Sequence, residues 1–207
     1  MKTRTLVPCA LALALLAAPA ARAQAPAAAP AAPTAGFRAE FLGQHAYGEK
    51  QILDLAEATP ADKYGWRPGE GVRSISEVYI HIAGGNYFLL GFAGVKPPAG
   101  RDGEIKEMEK NVTEKAKVID ELKKSFAHVR AGIAATSDAD LDKPVKMFGR
   151  DTTVRGVLLS VVSHEFEHLG QSIAYARMNG IVPPWTAEQQ KRMKEMEKKP
   201  ADAPAKK

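Results

Sequence analysis

Four long stretches in which apolar residues return at helical spacing leave this chain little room for any architecture but a helical one. The first runs from Phe37 to Glu57, with Phe37, Phe41, Ile52 and Leu55 on one face, and stops before Pro60. The second opens at Ser74-Ile75-Ser76-Glu77, a capping box, and carries Ile75, Val78, Ile82 and Leu89 to about Phe92. The third extends from about Lys110 to Ala135 and turns Val112, Val118, Ile119, Leu122, Phe126, Val129 and Ile133 inward. The fourth runs from about Thr153 to Met178 and ends at Asn179-Gly180, a helix stop. Four such amphipathic segments, together about half of the chain beyond its first residues, bury their stripes most simply against one another. The expected fold is therefore all-α, a four-helix bundle over residues 36–186. No strand pattern competes with it, and only Val145–Phe148 followed by Gly149–Thr152 has the look of a small hairpin.

The flanks differ in kind from this body. Residues 1–23 read as a signal peptide: Lys2 and Arg4 precede an apolar stretch from Leu6 to Ala18, and Ala21-Arg22-Ala23 offers a cleavage site before Gln24. The stretch is shorter than the ~20 residues of a membrane span and is broken by Pro8 and Pro19, so stable insertion of the mature chain is not expected. The expected location is periplasmic or secreted. Residues 24–35 are almost entirely Ala and Pro, the composition of an extended tether. Residues 187–207 form a charged C-terminal tail, in which Thr186-Ala187-Glu188-Gln189 resembles a capping box for a short helix with Met193 and Met196 toward the body. Disorder is expected from Pro200 onward.

Charge and cysteine content exclude several functions. The formal net charge of +5 comes from the leader and the tail, and the body between them is near neutral, a poor match for nucleic acid. The one cysteine, Cys9, lies inside the leader. A mature chain without it has no disulfide, no thiolate-bound metal and no cysteine nucleophile.

The chemistry that remains belongs to histidine. His164 and His168 stand four apart in His164-Glu165-Phe166-Glu167-His168, so on a helix both imidazoles reach one point. Val157 and Val161 continue their face backward, which aims the pair at the bundle. His81, beside Val78 and Ile82 on the second helix, is placed to bring a third imidazole to the same point. His45, four residues after Phe41, is a candidate fourth ligand or a support to the ligands, and His128 reads as a boundary residue. Three neutral imidazoles around a divalent metal, zinc or nickel, leave a coordination position open, the catalytic pattern. Glu167, three residues after His164, is a candidate to orient a ligand or accept a proton. Gln171, three after His168, is a candidate to hydrogen-bond an imidazole or substrate. Arg73 and Arg177 are candidates for recognising an anion. The same His-Glu-x-x-His spacing occurs in zincin proteases, where Glu165 would be the base and Glu188 the third ligand. Charged Glu167 inside the motif and Pro183-Pro184 before Glu188 weigh against that arrangement.

Trp66-Arg67-Pro68, Gly71-Val72-Arg73-Ser74 and His81-Ile82-Ala83 resemble the entry to the second helix of DinB-like (YfiT-like) proteins. His164-x-x-Glu167-His168-x-Gly170-Gln171, with Tyr175-Ala176-Arg177-x-Asn179-Gly180-Ile181-x-Pro183-Pro184-Trp185, resembles that family's last core helix and its exit. The resemblance spans roughly residues 37–186. It implies a four-helix bundle holding a divalent metal through His81, His164 and His168. It also implies metal-dependent transfer of groups to small thiols, or hydrolysis, with a small-molecule substrate. A homodimer is compatible with this. An exported chain would meet few cytosolic thiols, which sets a non-catalytic metal- or ligand-binding bundle of the cell envelope beside the enzyme as an alternative.

Overall fold

The computed structural model describes residues 32–198, so the leader, most of the tether and the end of the tail lie outside the described residues. Six α-helices and one hairpin follow in chain order: α1 (Gly36–Ala58), α2 (Ile75–Phe92), α3 (Arg101–Asn111), α4 (Lys115–Ala135), β1 (Pro144–Met147), β2 (Arg150–Thr153), α5 (Val154–Met178) and α6 (Pro184–Glu197). The long helices α1, α2, α4 and α5 make the bundle. Each of α1 and α2 packs on both α4 and α5, which places α1 and α2 at opposite corners. Every long helix thus has two neighbours, and α5 shows one side to α1 and another to α2.

The core follows the apolar stripes. Ile52, Tyr79, Ile82, Leu122 and Phe126 fill one half of it, and Leu90, Val129, Ile133, Leu158 and Val161 the other. Each fully buried side chain of this size contributes about 1.5–3 kcal/mol relative to exposure. Helix ends are set locally. Ser74 Oγ accepts from the Glu77 backbone N–H, and the Glu77 carboxylate accepts from the Ser74 N–H at 2.7 Å and from Arg67 at 2.8 Å. Thr153 caps α5 through the Gly156 N–H, and Gly180, at φ +72°, ends the exit turn in the left-handed region that glycine tolerates.

Three expectations need correction. The third segment is two helices, because Val112 adopts extended backbone between Asn111 and Lys115. The preceding helix, α3, escapes a periodicity reading because its apolar content is Ile105 and Met108 alone. It is held by docking on α2, where Gly84 lets Ile105 approach: a Cβ at residue 84 would lie 2.8 Å from the Ile105 side chain. At the other end, α6 begins at Pro184, not Thr186, since Pro at the first helical position has no N–H to satisfy. Met193 and Met196, expected against the body, are exposed. The hairpin forms as the sequence implies, with Met147 opposite Arg150 and a two-residue turn at Phe148-Gly149, both at positive φ. No helix among the described residues is long and apolar enough to cross a membrane.

Candidate metal centre

His81 lies two turns into α2, and His164 and His168 lie one turn apart on the side of α5 that packs on α2. The two helices bring the three imidazoles together, with one ligand atom from each within 4.8 Å of the others. Nε2 of His81 and Nε2 of His164 are 3.3 Å apart. Two nitrogens bound tetrahedrally at ~2.0–2.1 Å would be about 3.3 Å apart, so this pair already stands at ligand spacing.

The opposite nitrogens are occupied by acceptors in two of the three rings. His168 Nδ1 donates to Gln171 Oε1 at 2.8 Å, and Gln171 in turn donates to the Tyr175 hydroxyl at 2.9 Å. Tyr175 packs edge-on against Trp66, which anchors this chain of contacts in the core. The carboxylate of Glu109, brought by α3, lies 3.5 Å from His81 Nδ1 and is fixed by Arg73 Nε at 2.7 Å. An acceptor beside Nδ1 favours the proton there and leaves Nε2 free to take a metal, the usual support of metal-binding histidines. His164 Nδ1 is buried and has no partner. Its ring occupies the space left by Gly85, where a Cβ would lie 2.2 Å from the imidazole.

Electrostatics favour neutral rings. Burial lowers the pKa of His81, with Arg73 adding to the effect and Glu109 opposing it. Burial, the two neighbouring histidines and Arg73 push His164 down to about 3. A neutral imidazole is the form that binds a metal. The pair faces inward as the sequence implies, with His168 buried and His164 partly so, while His81 is the more open ring. The His81 side chain keeps 28% of its surface, and His81 and His164 border an open cleft of about 460 Å3.

Of the other candidates, His45 and Glu165 separate from this cluster. His45, a candidate fourth ligand or support, lies on the far side of α5. Its ring is fully buried, with Nδ1 2.9 Å from Glu165 Oε1 and Nε2 3.4 Å from the Phe126 carbonyl of α4. Glu165 follows His164 by one residue, a rotation of about 100° around the helix, and therefore faces α1. Burial raises its carboxyl pKa against the opposing pull of His45. The zincin arrangement is thereby overturned. Its general base is sealed away from the histidines, and Glu188 is exposed and paired with Arg192. Glu167 and Arg177 are exposed, while Arg73 reaches the cleft. His128 is half-buried against Tyr87. Sequence reasoning missed Gly85 and Glu109. The Gly84-Gly85 pair inside an apolar helix, each residue costing ~1 kcal/mol relative to Ala, is the clue that something approaches closely there.

Fold and site together define a helical bundle with a three-histidine cluster at an inter-helix cleft. The DinB superfamily matches residues 44–172, and the chain belongs to it. Among solved structures, a DinB-like protein from Bacillus cereus is 21% identical with a TM-score of 0.61, covering 70% of this chain and 93% of its own. The DinB-like protein YjoA from Bacillus subtilis is 22% identical with a TM-score of 0.55, covering 69% and 93%. These likenesses are of fold. No curated protein matches the sequence.

Proposed function

We propose that this protein holds one divalent metal ion, zinc or nickel, on the Nε2 atoms of His81, His164 and His168. It would act on a small molecule in the adjoining cleft as a metal-dependent hydrolase or group (thiol) transferase. The observation that carries the reading is the convergence of the rings, two at ligand spacing and two supported at Nδ1 by Glu109 and Gln171. When bound, the ion supplies Lewis acidity toward a substrate oxygen or sulfur. Gln171, held by Tyr175, keeps the His168 ring oriented, and the Arg73–Glu109 pair does the same for His81. Glu167, exposed on the next turn of α5 after His164, is the proposed proton acceptor at its carboxylate. The leader and tether support export, with the mature chain beginning near Gln24.

Elemental analysis of protein loaded with zinc or nickel tests the site. About one equivalent is expected in the wild type and in His128→Ala, and strong loss in the single Ala variants of the three ligands. Model ester hydrolysis and thiol conjugation, each measured with and without chelator, then separate hydrolysis from transfer. A bound ion without either activity identifies the non-catalytic, metal-holding bundle instead. A wild type that takes up no ion overturns the reading.

A further inference from the structure

The cleft beside the histidines has two unlike ends. His81, Gly84, Gly85 and Phe88 follow one another along a single face of α2, and seven residues of helix span about 10 Å. At the His81 end stand Arg73 and Glu109. Lys106, next to Ile105 on α3, also lines the cleft, so two cations stand with a single carboxylate there. At the far end the walls are Phe88 and Phe148, both more than half exposed. Phe148 sits in the hairpin turn at φ +51°, a left-handed conformation that disfavours any residue but glycine and a few small polar ones. Its ring nevertheless meets Phe88 at 6.0 Å and Phe92 at 5.2 Å, so two separate elements build one exposed aromatic patch on the cleft. Isolated exposed apolar residues are ordinary, but a contiguous patch joined to a pocket marks a binding surface.

We propose that this cleft binds an organic anion with an aromatic or otherwise apolar body. The anionic group lies toward Arg73, Lys106 and His81, and the body lies against Phe88 and Phe148. The proposal deepens the metal-site reading and rests on it for one point, that the charged end is the end presented to the histidines. Charge complementarity and wall chemistry favour this occupant over an uncharged one: with Arg73 already paired to Glu109, a neutral apolar molecule would leave Lys106 unused, and a small hydrophilic anion would leave the rings uncovered.

The test uses two fluorescent probes with the same ring system, anilinonaphthalene sulfonate and its uncharged parent phenylnaphthylamine. Each is titrated into zinc-loaded and into chelator-treated protein. The sulfonate should saturate a single site at least about tenfold more tightly than the neutral dye in the zinc-loaded form. Lys106→Gln should weaken the sulfonate about threefold to fivefold and leave the neutral dye unchanged. Phe148→Asn, which suits the left-handed backbone, should weaken both dyes about fivefold while the far-UV circular dichroism stays that of the wild type. Equal affinity for the two dyes, or indifference of both to Phe148→Asn, overturns the proposal. So does a dye signal that falls as rising protein concentration drives dimer formation in sedimentation, because the patch is then covered by a second copy. Failure of the metal reading has a different signature. Elemental analysis then finds no ion, while the effects of Lys106→Gln and Phe148→Asn persist in chelator-treated protein.

Discussion

The two sides of α5 handle histidine in opposite ways. Toward α1 and α4, His45 and Glu165 close on each other in a fully buried pair. Toward α2, His81, His164 and His168 bring one ring nitrogen each within 4.8 Å of the others, and His81 and His164 border a cleft. The sealed pair spends its polar atoms on internal partners, so nothing is left to bind. The open cluster has acceptors beside two of its Nδ1 atoms, on His81 and His168, and keeps one nitrogen of each ring close to the other two. One helix therefore carries a sealed polar pair and an open histidine cluster on adjacent residues, and a rotation of about 100° decides which residue joins which.

The largest effect expected from breaking this contrast is on the sealed side. His45→Ala strands Glu165 without its partner in the core and should destabilise the fold by about 3–5 kcal/mol, read as denaturant midpoint, with or without chelator. Replacing both partners with apolar residues, His45→Phe with Glu165→Leu, should recover most of that loss. A double variant no more stable than His45→Ala would mean that the pair does more than satisfy itself.

On the open side, His164→Ala should weaken zinc binding by about a hundredfold or more, measured by competition with a chromophoric chelator. Its cost to the metal-free fold should be limited to the packing over Gly85 and the Nε2 contact with His81, because His164 Nδ1 has no hydrogen bond to lose. Gln171→Ala should act more gently, about tenfold on zinc affinity, because it removes the orientation of His168 and not a ligand. If Gln171→Ala matched His164→Ala, the hydrogen bond to His168 would be holding the ring in place, not tuning it.

The open side also carries a pH dependence. An unfolded histidine takes up a proton below about 6.5, whereas folded His164 does so only near 3, so between these values the unfolded state holds more protons. Stability of the metal-free protein from this group is complete above about pH 6.5 and is lost as pH falls toward 3. His164→Gln should make the decline of the urea midpoint over that window shallower. An unchanged slope would show the ring to be better solvated than its burial implies.

Much of the bundle was legible because its information is local. Apolar spacing marked the four long helices, Ser74 and Glu77 marked the start of α2, and Asn179-Gly180 marked the end of α5. The i, i+4 rule put His164 and His168 on one face, and the stripe position of His81 pointed it toward them. The short α3 was not legible, since a polar helix docked through Ile105 and Met108 alone carries no periodic stripe. With α3 went Glu109, whose place beside His81 depends on that docking.

Helix number, helix ends and the shared face of His164 and His168 are thus properties of the sequence itself, because each depends on residues within a few positions of one another. Tertiary structure decided the rest. It took His45 away from the other histidines and gave it to Glu165, it admitted His164 into the space of Gly85, and it set Phe148 beside Phe88. Those contacts join residues far apart in the chain, and they depend on which sides of neighbouring helices meet. The apolar stripe constrains that rotation only to within its own width, which is broad enough to leave the partners of adjacent polar residues undetermined until the helices pack.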